Sequence, residues 1–333
     1  PWGADADHLK TTDDIDLCVA AGYTFYTVDP GEHVDGEAHT APLERLREKV
    51  GALPWRDLDD SAEALAARYL GRSYDLPGLS LEFDETSLLR AAAKYGGAIA
   101  HTARMFRHAA TAMGSRPFEL EVSVDETDTP TSPLEHLIIA SELRRLEVRW
   151  VSLAPRYPGR FEKGVDYIGD LAALDGELAH HAAIARALGP YKLSIHSGSD
   201  KFSVYPFFAR HAGDLVHLKT AGTSYLEALR VIAGVEPALF REILALGRGR
   251  YDVDRATYHV SAEAARVPPP EELADGELAG VLDTFDGRSV LHVTFGSALD
   301  RYGQRLLQIL DAHEEEYYAA LEVHFRRHLA AFG

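Results

Sequence analysis

A short segment near the start of the chain combines two kinds of side chain that acid–base and metal chemistry require. Gly3-Ala-Asp-Ala-Asp-His-Leu-Lys10 places Asp7 and His8 next to each other. The following Thr11-Thr-Asp-Asp14 has the composition of a helix N-cap, so we expect a carboxylate and an imidazole just before a helix. Such a pair can supply a general base and a metal ligand. Solvent-facing Asp and His residues would give the same pattern.

Acidic side chains also collect around a later apolar run and in a loop beyond it. Segment 119–133 carries several of them: Glu121, Asp125, Glu126 and Asp128. A carboxylate near the end of a barrel strand can act as a general acid or base once its surroundings shift its pKa. Helix capping explains Asp128 equally well but does not explain Glu121. In segment 161–170, Gly164 and Gly169 frame Asp166, which a sharp turn could present over a site.

The most specific pattern is segment 193–202, where an apolar run ends in His196 and continues as Ser197-Gly-Ser-Asp-Lys201. The hydroxyls of Ser197 and Ser199, backbone N–H groups beside Asp200 and the ammonium of Lys201 could together hold a carboxylate or phosphate. The next run, 215–222, adds Lys219, so two lysines could share one anionic ligand. A hydrogen-bonded core histidine is the alternative interpretation of His196.

Eight short β-rich runs alternate with helical stretches and must position these residues. The predicted strands are 23–29, 79–84, 118–125, 149–155, 191–196, 215–220, 257–261 and 290–296, with a further possible strand around Trp2 and Gly3. Apolar residues at helical spacing predict helices over 88–112, 133–146, 170–188 and 224–246. The alternation predicts an α/β protein, a (β/α)8 TIM-type barrel in one domain spanning residues 1–333.

The predicted strands alternate apolar and polar side chains. In a barrel wrapped by helices the apolar set packs outward, so acids and histidines should face the lumen. Unpaired buried charges are costly, so these groups should be paired, hydrated or metal-bound. An antiparallel sheet with one solvent-exposed face would show the same alternation of apolar and polar side chains.

Composition narrows the possible functions. The 52 Asp and Glu against 34 Lys and Arg give a net charge of −18, which disfavours nucleic acid as a partner. A single cysteine, Cys18, excludes a disulfide framework and a Cys-rich zinc site. No signal peptide or membrane-spanning run is present, so we expect a cytoplasmic protein. Nucleophile elbows, Walker loops and His-Glu-x-x-His are absent, which leaves acid–base and metal chemistry.

Taken together, the segments around Asp7 and His8, 165–170, 194–202 and 217–225 resemble the tagaturonate/fructuronate epimerase family, whose relatives include tagatose/fructose 4-epimerases. The similarity runs over essentially the whole chain, and because the sequence starts at Pro1 without Met we expect a longer parent with an upstream segment. The resemblance implies a barrel enzyme that depends on a divalent cation, Zn, Mn, Ni or Fe, and interconverts D-tagaturonate and D-fructuronate.

The resemblance also implies roles for particular residues. His8, Asp166 and His196 would hold the metal, and Asp7 and Glu121 would form the acid–base pair. The substrate would be held by Ser197, Ser199, Asp200, Lys201 and Lys219. Further candidates for the site are Glu82, Asp125, His217 and His259. Retro-aldol cleavage and two-base proton exchange at the inverted carbon both satisfy these roles.

Two other classes of protein fit the same residues. A metal-dependent sugar-acid aldolase or ketose isomerase would share the barrel and the metal. A non-catalytic uronate-binding protein would need only the anion-holding loop. The expected partner is a small keto-uronate or ketose, and the sequence leaves a homo-oligomer open.

Overall fold

The computed structural model describes residues 3–333, which group into two compact units. Within the described residues, unit 1 consists of residues 3–158, Asp170–His196 and Arg210–Leu218, and unit 2 of Gly159–Gly169, Ser197–Ala209 and Lys219–Gly333. The single domain expected over residues 1–333 stays a prediction. The segment around Trp2, where a further strand was possible, lies partly outside the described residues.

A parallel six-stranded sheet forms the centre of unit 1. Its strands, in spatial order, are β1 (Ala6–Leu9), β2 (Phe25–Val28), β5 (Glu119–Ser123), β6 (Ser152–Ala154), β7 (Lys192–Ile195) and β8 (Val216–Leu218). Every neighbouring pair in this sheet is parallel. Five of these strands lie within the predicted runs at 23–29, 118–125, 149–155, 191–196 and 215–220, which confirms the α/β class with a parallel sheet.

Helices connect these strands and cover their apolar side. Those of unit 1 are α1 (Thr12–Ala20), α2 (Leu43–Gly51), α3 (Ala62–Tyr69), α4 (Glu85–Met113), α5 (Pro133–Arg145) and α6 (Leu171–Leu188). Thr11 caps α1 in a reciprocal pair with Asp14, as the sequence predicted. Buried residues from β2, β5 and β7, including Val28, Val122 and Leu193, pack with α4 and α5 into one hydrophobic core. The polar residues that alternate with these apolar ones along the strands therefore lie on the opposite face of the sheet.

The polar face of the sheet is concave. Glu121 of β5 contacts His217 of β8 although two strands lie between them in the sheet. The ring of Phe25 on β2 lies 5.1 Å, centroid to centroid, from the ring of His217. Strands about 4.8 Å apart in a flat sheet could not make these contacts, so the sheet must curl. Closure into a barrel stays a prediction.

Three predicted strands and one predicted helix need correction. The run 79–84 forms β4 (Leu79–Glu82), which pairs antiparallel with β3 (Ser73–Leu76) in a separate hairpin. Gly78 supplies the positive φ, 77°, of its turn. The run 257–261 contains no strand. The run 290–296 is helical. Residues 289–293 are all buried in α10, so burial does not alternate there as it would along a half-buried strand, and a short apolar run can form either structure. The helix predicted over 224–246 is two helices, divided at Pro237.

Unit 2 is mainly helical. It contains α8 (Thr223–Val235), α9 (Pro237–Asp254), α10 (Phe285–Val293), α11 (Phe295–Ala312) and α12 (Glu314–Leu329), and α7 (Tyr205–Ala212) begins within it. A second core of leucines and other apolar residues from α8 to α11 lies entirely within this unit. No helix found over residues 3–333 is both long and apolar enough to cross a membrane.

A buried pair of histidines lies between α5 and α6 in unit 1. His136 Nδ1 is 2.8 Å from His181 Nδ1, and His136 Nε2 is 2.8 Å from the Tyr191 hydroxyl. Burial lowers the pKa of both imidazoles, that of His181 to about 3. Within residues 3–333, His181 Nε2 has no hydrogen-bond partner. Both rings are therefore neutral in the folded protein.

Acidification from pH 7 to pH 5 is expected to lower the free energy of unfolding, by about 2 kcal/mol from His181 alone. The unfolded chain, with an ordinary histidine pKa, binds a proton in this range and the folded chain does not, so stability is lost as the pH falls below the unfolded value. Urea unfolding at the two pH values measures the change. His181→Phe should show a smaller loss, and an unchanged pH dependence in that variant would contradict the assignment.

Candidate active site

A bulge in the first strand presents two neighbouring polar residues on the same side. Ala6 pairs with Tyr26 and Leu9 with Val28, so β1 uses one residue more than β2 between the two pairs. His8 has a φ of 54°, which is uncommon for a residue other than glycine. In a regular strand Asp7 and His8 would point to opposite faces, whereas a bulge can re-aim a side chain. Both side chains can therefore reach the same site.

The imidazole of His8 is oriented by a buried carboxylate at the end of the second strand. His8 Nδ1 lies 3.0 Å from Asp29 Oδ2, and the backbone N–H of Gly31 donates to Asp29 Oδ1 at 2.9 Å. Burial raises the pKa of Asp29, but these hydrogen bonds and the His8 charge outweigh it and hold the pKa below its usual range. An ionised carboxylate can only accept, so His8 donates from Nδ1 and its Nε2 points away from Asp29.

His196 is oriented in the same way by a second buried carboxylate. It follows β7 directly, and its Nδ1 lies 2.8 Å from Glu121 Oε1. Its Nε2 lies 3.1 Å from Asp7 Oδ1 and 3.2 Å from His8 Nε2. Burial lowers the pKa of His196, but the hydrogen bonds to Asp7 and Glu121 and the surrounding negative charge raise it to about 10.

Three potential metal-ligand atoms thus converge: His8 Nε2, His196 Nε2 and Asp7 Oδ1. They are 3.2, 3.1 and 3.7 Å apart. A tetrahedral ion with bonds of about 2.1 Å separates its ligand atoms by about 3.4 Å. Carboxylates on the Nδ1 atoms of metal-binding histidines are the usual outer partners of such ligands. The donor set and its spacing therefore fit a divalent cation.

Glu121 is enclosed by hydrogen-bond donors from three neighbouring strands. Oε1 accepts from Ser194 Oγ at 2.9 Å and from His196 Nδ1, and Oε2 accepts from Ser152 Oγ and from His217 Nδ1 at 2.5 Å. Burial raises the pKa of Glu121, but the hydrogen bonds from His196 and His217 lower it far below its usual range. The geometry thus favours a permanently ionised carboxylate over the acid–base role predicted for Glu121.

Two carboxylates of this site were missed by the sequence analysis. Asp29 occupies the last position of the predicted strand 23–29, the same strand-end position that singled out His196, and that signal could have identified it. Both oxygens of Asp5 accept from Thr27 Oγ, at 2.9 and 2.8 Å. Burial raises the pKa of Asp5, and the charges of Asp7 and Glu121 raise it further, although the Thr27 hydrogen bond opposes them.

A further carboxylate approaches His8 from the loop after β5. Glu126 Oε1 lies 3.7 Å from His8 Nε2, and its side chain is 44% exposed. Asp125, in the same loop, accepts a hydrogen bond from Ser123 at 2.5 Å. The loop that the sequence analysis singled out for its acids therefore brings one solvent-accessible carboxylate to the convergent atoms.

The residues predicted to hold the substrate belong to unit 2, where they contact one another and its helices. Ser199 Oγ accepts from the N–H of Ala221 at 2.9 Å, which joins the loop Ser197-Gly-Ser-Asp-Lys201 to the segment beginning at Lys219. The carboxylate of Asp200 accepts a hydrogen bond from Arg288 at 2.8 Å, and the backbone N–H of Asp200 donates to His328 Nε2. Because that nitrogen's lone pair is used, the Asp200, His324 and His328 cluster is a poor cation site.

Lys201 is completely buried in unit 2. Its ammonium donates to the carbonyls of Glu162, Val165 and Ser199 at 2.7, 2.6 and 2.8 Å. Burial lowers the pKa of Lys201 to about 8. All three of its hydrogens are engaged by backbone, so this geometry favours a role in holding the loops and does not favour contact with a substrate carboxylate.

Asp166 also belongs to unit 2. It is exposed, and its Oδ1 accepts from the Ser203 hydroxyl at 2.9 Å. Its role as a metal ligand stays a prediction. Within unit 1, the carboxylate next to the two imidazoles is that of Asp7.

The chain is similar over its whole length to proteins of known activity. The family model for tagaturonate epimerase matches residues 1–332. The tagaturonate/fructuronate epimerase of Thermotoga maritima is 44% identical over 331 residues, which is 98% of this chain and 67% of that protein. Crystal structures of fructuronate-tagaturonate epimerase UxaE from Cohnella laeviribosi, native and with one glycerol, each match 100% of this chain and 68% of theirs, at 37% identity and a TM-score of 0.93.

Proposed function

Because the chain belongs to the tagaturonate epimerase family, we propose that it interconverts D-tagaturonate and D-fructuronate at a divalent cation bound by His8, His196 and Asp7. An epimerase is an isomerase, so the reaction conserves every atom and only one carbon changes configuration. Family membership disfavours a non-catalytic uronate-binding protein. An aldolase would share the bond cleavage proposed below but would release its two fragments.

The observation that supports the metal most strongly is the matched orientation of the two imidazoles. Each donates from Nδ1 to a buried carboxylate, Asp29 for His8 and Glu121 for His196. Both rings are therefore fixed with Nε2 towards the same point, 3.2 Å apart. A bound divalent ion would supply a Lewis acid that stabilises negative charge on the substrate oxygens.

The position of the inverted carbon decides between the two reaction routes. It lies one carbon beyond the centre that the ketone acidifies, so removal of its C–H proton receives little help from the carbonyl. Retro-aldol cleavage needs a proton only from the hydroxyl on that carbon: the O–H bond breaks, the neighbouring carbon–carbon bond opens to an aldehyde and an enediolate, the aldehyde rotates, and both bonds reform. We propose this route because it requires one base at one oxygen.

Glu126 is our candidate for that base. It reaches to 3.7 Å from His8 Nε2 while remaining 44% exposed, so its carboxylate can meet an incoming hydroxyl. Asp7, the base predicted from the sequence, lies as far from His8 Nε2, 3.7 Å, but is also 3.1 Å from His196 Nε2, so it is better placed as a ligand shared by both imidazoles. Glu121 would serve as the carboxylate that orients His196.

Turnover of D-fructuronate in deuterated water, with divalent cations added, is expected to give D-tagaturonate without deuterium at the inverted carbon. Retro-aldol cleavage keeps the C–H bond of that carbon intact, whereas two-base exchange replaces its hydrogen from solvent. Chromatography identifies the product, and mass spectrometry with NMR locates the label. One deuterium per turnover at that carbon would refute the retro-aldol route, and absence of tagaturonate with every cation would refute the function.

A further inference from the structure

His217 contacts the cluster of Asp7, His8, Glu121 and His196 through Glu121. It lies on β8, is 24% exposed, and its Nδ1 is 2.5 Å from Glu121 Oε2. The same nitrogen is 3.2 Å from the Ser152 hydroxyl, which also bonds Oε2. Because ionised Glu121 has no hydrogen to give, His217 must be the donor, and its tautomer is fixed in the same way as that of His196.

The two oxygens of Glu121 divide its partners evenly. Oε1 faces Ser194 and His196, and Oε2 faces Ser152 and His217. A carboxylate has about four lone-pair positions, so all of them are used. Loss of the His217 donor would leave a buried acceptor on Oε2 with one partner, and the carboxylate could then rotate about its last bond to recover a second. Such a rotation would also move Oε1, which orients the ring of His196.

We infer that His217 is a positioning residue: it holds Glu121 in place and thereby keeps His196 Nε2 aimed at the metal site. The inference rests on the proposed function, because it assumes that His196 is a ligand. Outer partners of metal-bound histidines change metal affinity by about 10- to 100-fold when they are removed. His217 contacts Glu121, the outer partner, and not the ligand His196 itself, so the loss of metal affinity on removing His217 should lie near the lower end of that range.

Two substitutions separate hydrogen bonding from packing. In His217→Asn the side-chain amide can donate from about the position of Nδ1, but most of the ring volume is lost. In His217→Phe a ring remains against Phe25, but the donor is lost. Zinc affinity of the purified protein, measured by competition with a coloured chelator, is expected to fall about 10-fold in His217→Phe and to stay close to wild type in His217→Asn. Thermal unfolding of the metal-free proteins reports folding separately.

His108→Phe is the matched control, because His108 also pairs with a carboxylate, Asp16 at 2.8 Å, but the two side chains are 35% and 56% exposed on the outer faces of α4 and α1. It should leave zinc affinity unchanged. Wild-type affinity in His217→Phe, or equal losses in the Phe and Asn variants, would overturn the inference while leaving the metal site itself intact. A wild-type protein that binds no zinc, manganese, nickel or iron would overturn the proposed metal site as well. If His217→Phe does not fold, His217→Leu tests the same loss of the donor.

Discussion

Replacing His196 by alanine is expected to abolish tight binding of the divalent cation and to lower epimerase turnover roughly 1,000-fold. The substitution removes one of the convergent nitrogens, and the ion's electrostatic contribution to an enzymatic transition state is several kcal/mol, of which about 4 kcal/mol corresponds to that factor. Metal analysis of the purified variant and the rate of fructuronate conversion at saturating cation measure the two effects. Chelation of the wild-type protein should reproduce the loss, and added cation should reverse it.

Asp7→Asn separates the two roles that Asp7 could have. If Asp7 is a ligand, as we propose, metal content falls together with turnover. Retained metal with lost turnover would instead support the acid–base role predicted from the sequence. His196→Ala with full metal content and full activity would disprove the site altogether.

Glu121→Gln is expected to destabilise the protein by about 3–5 kcal/mol, because one oxygen that accepts two hydrogen bonds becomes an NH2 group that faces donors. Whichever way the amide is turned, a histidine N–H and a serine hydroxyl lose their acceptor. Zinc affinity should fall as well, since His196 loses its fixed orientation or its Nδ1 partner. Denaturant unfolding and chelator competition measure the two losses.

Glu119→Gln is the matched control for this prediction. Glu119 lies on the same strand, β5, and is exposed. The same chemical change there should alter the free energy of unfolding by less than about 0.5 kcal/mol. Comparable stability of the Glu121→Gln and Glu119→Gln variants would show that the four hydrogen bonds to Glu121 contribute little, and would remove the physical basis for its positioning role.

The sequence predicted the parallel sheet where the local pattern was unambiguous. The runs that became β2 and β5 to β8 combine β-rich composition with following helical segments, and both signals are local. The run 290–296 was wrongly predicted because Leu291-His-Val-Thr294 alternates apolar and polar side chains as a half-buried strand does, whereas all four residues are buried in α10 or at its end. The run 79–84 was a strand, but nothing local indicated that its partner is the neighbouring Ser73–Leu76.

The residue types of the candidate site were also available from the sequence. His196 and Glu121 belonged to predicted strands, and Asp7 and His8 stood out by composition. The bulge in β1 was not predictable, because its extra residue is defined by pairing with β2. Without the bulge, alternation would have separated Asp7 from His8.

By itself the sequence determined the α/β class, a site chemistry based on imidazoles and carboxylates, and the similarity to one epimerase family. Only the tertiary structure decided which carboxylate orients which histidine. His8 meets Asp29 across 21 positions, His196 meets Glu121 across 75, and His8 meets His196 across 188. Such pairings depend on the order and curvature of the strands, which arise from packing of the whole sheet against its helices, and no local pattern of residues encodes them.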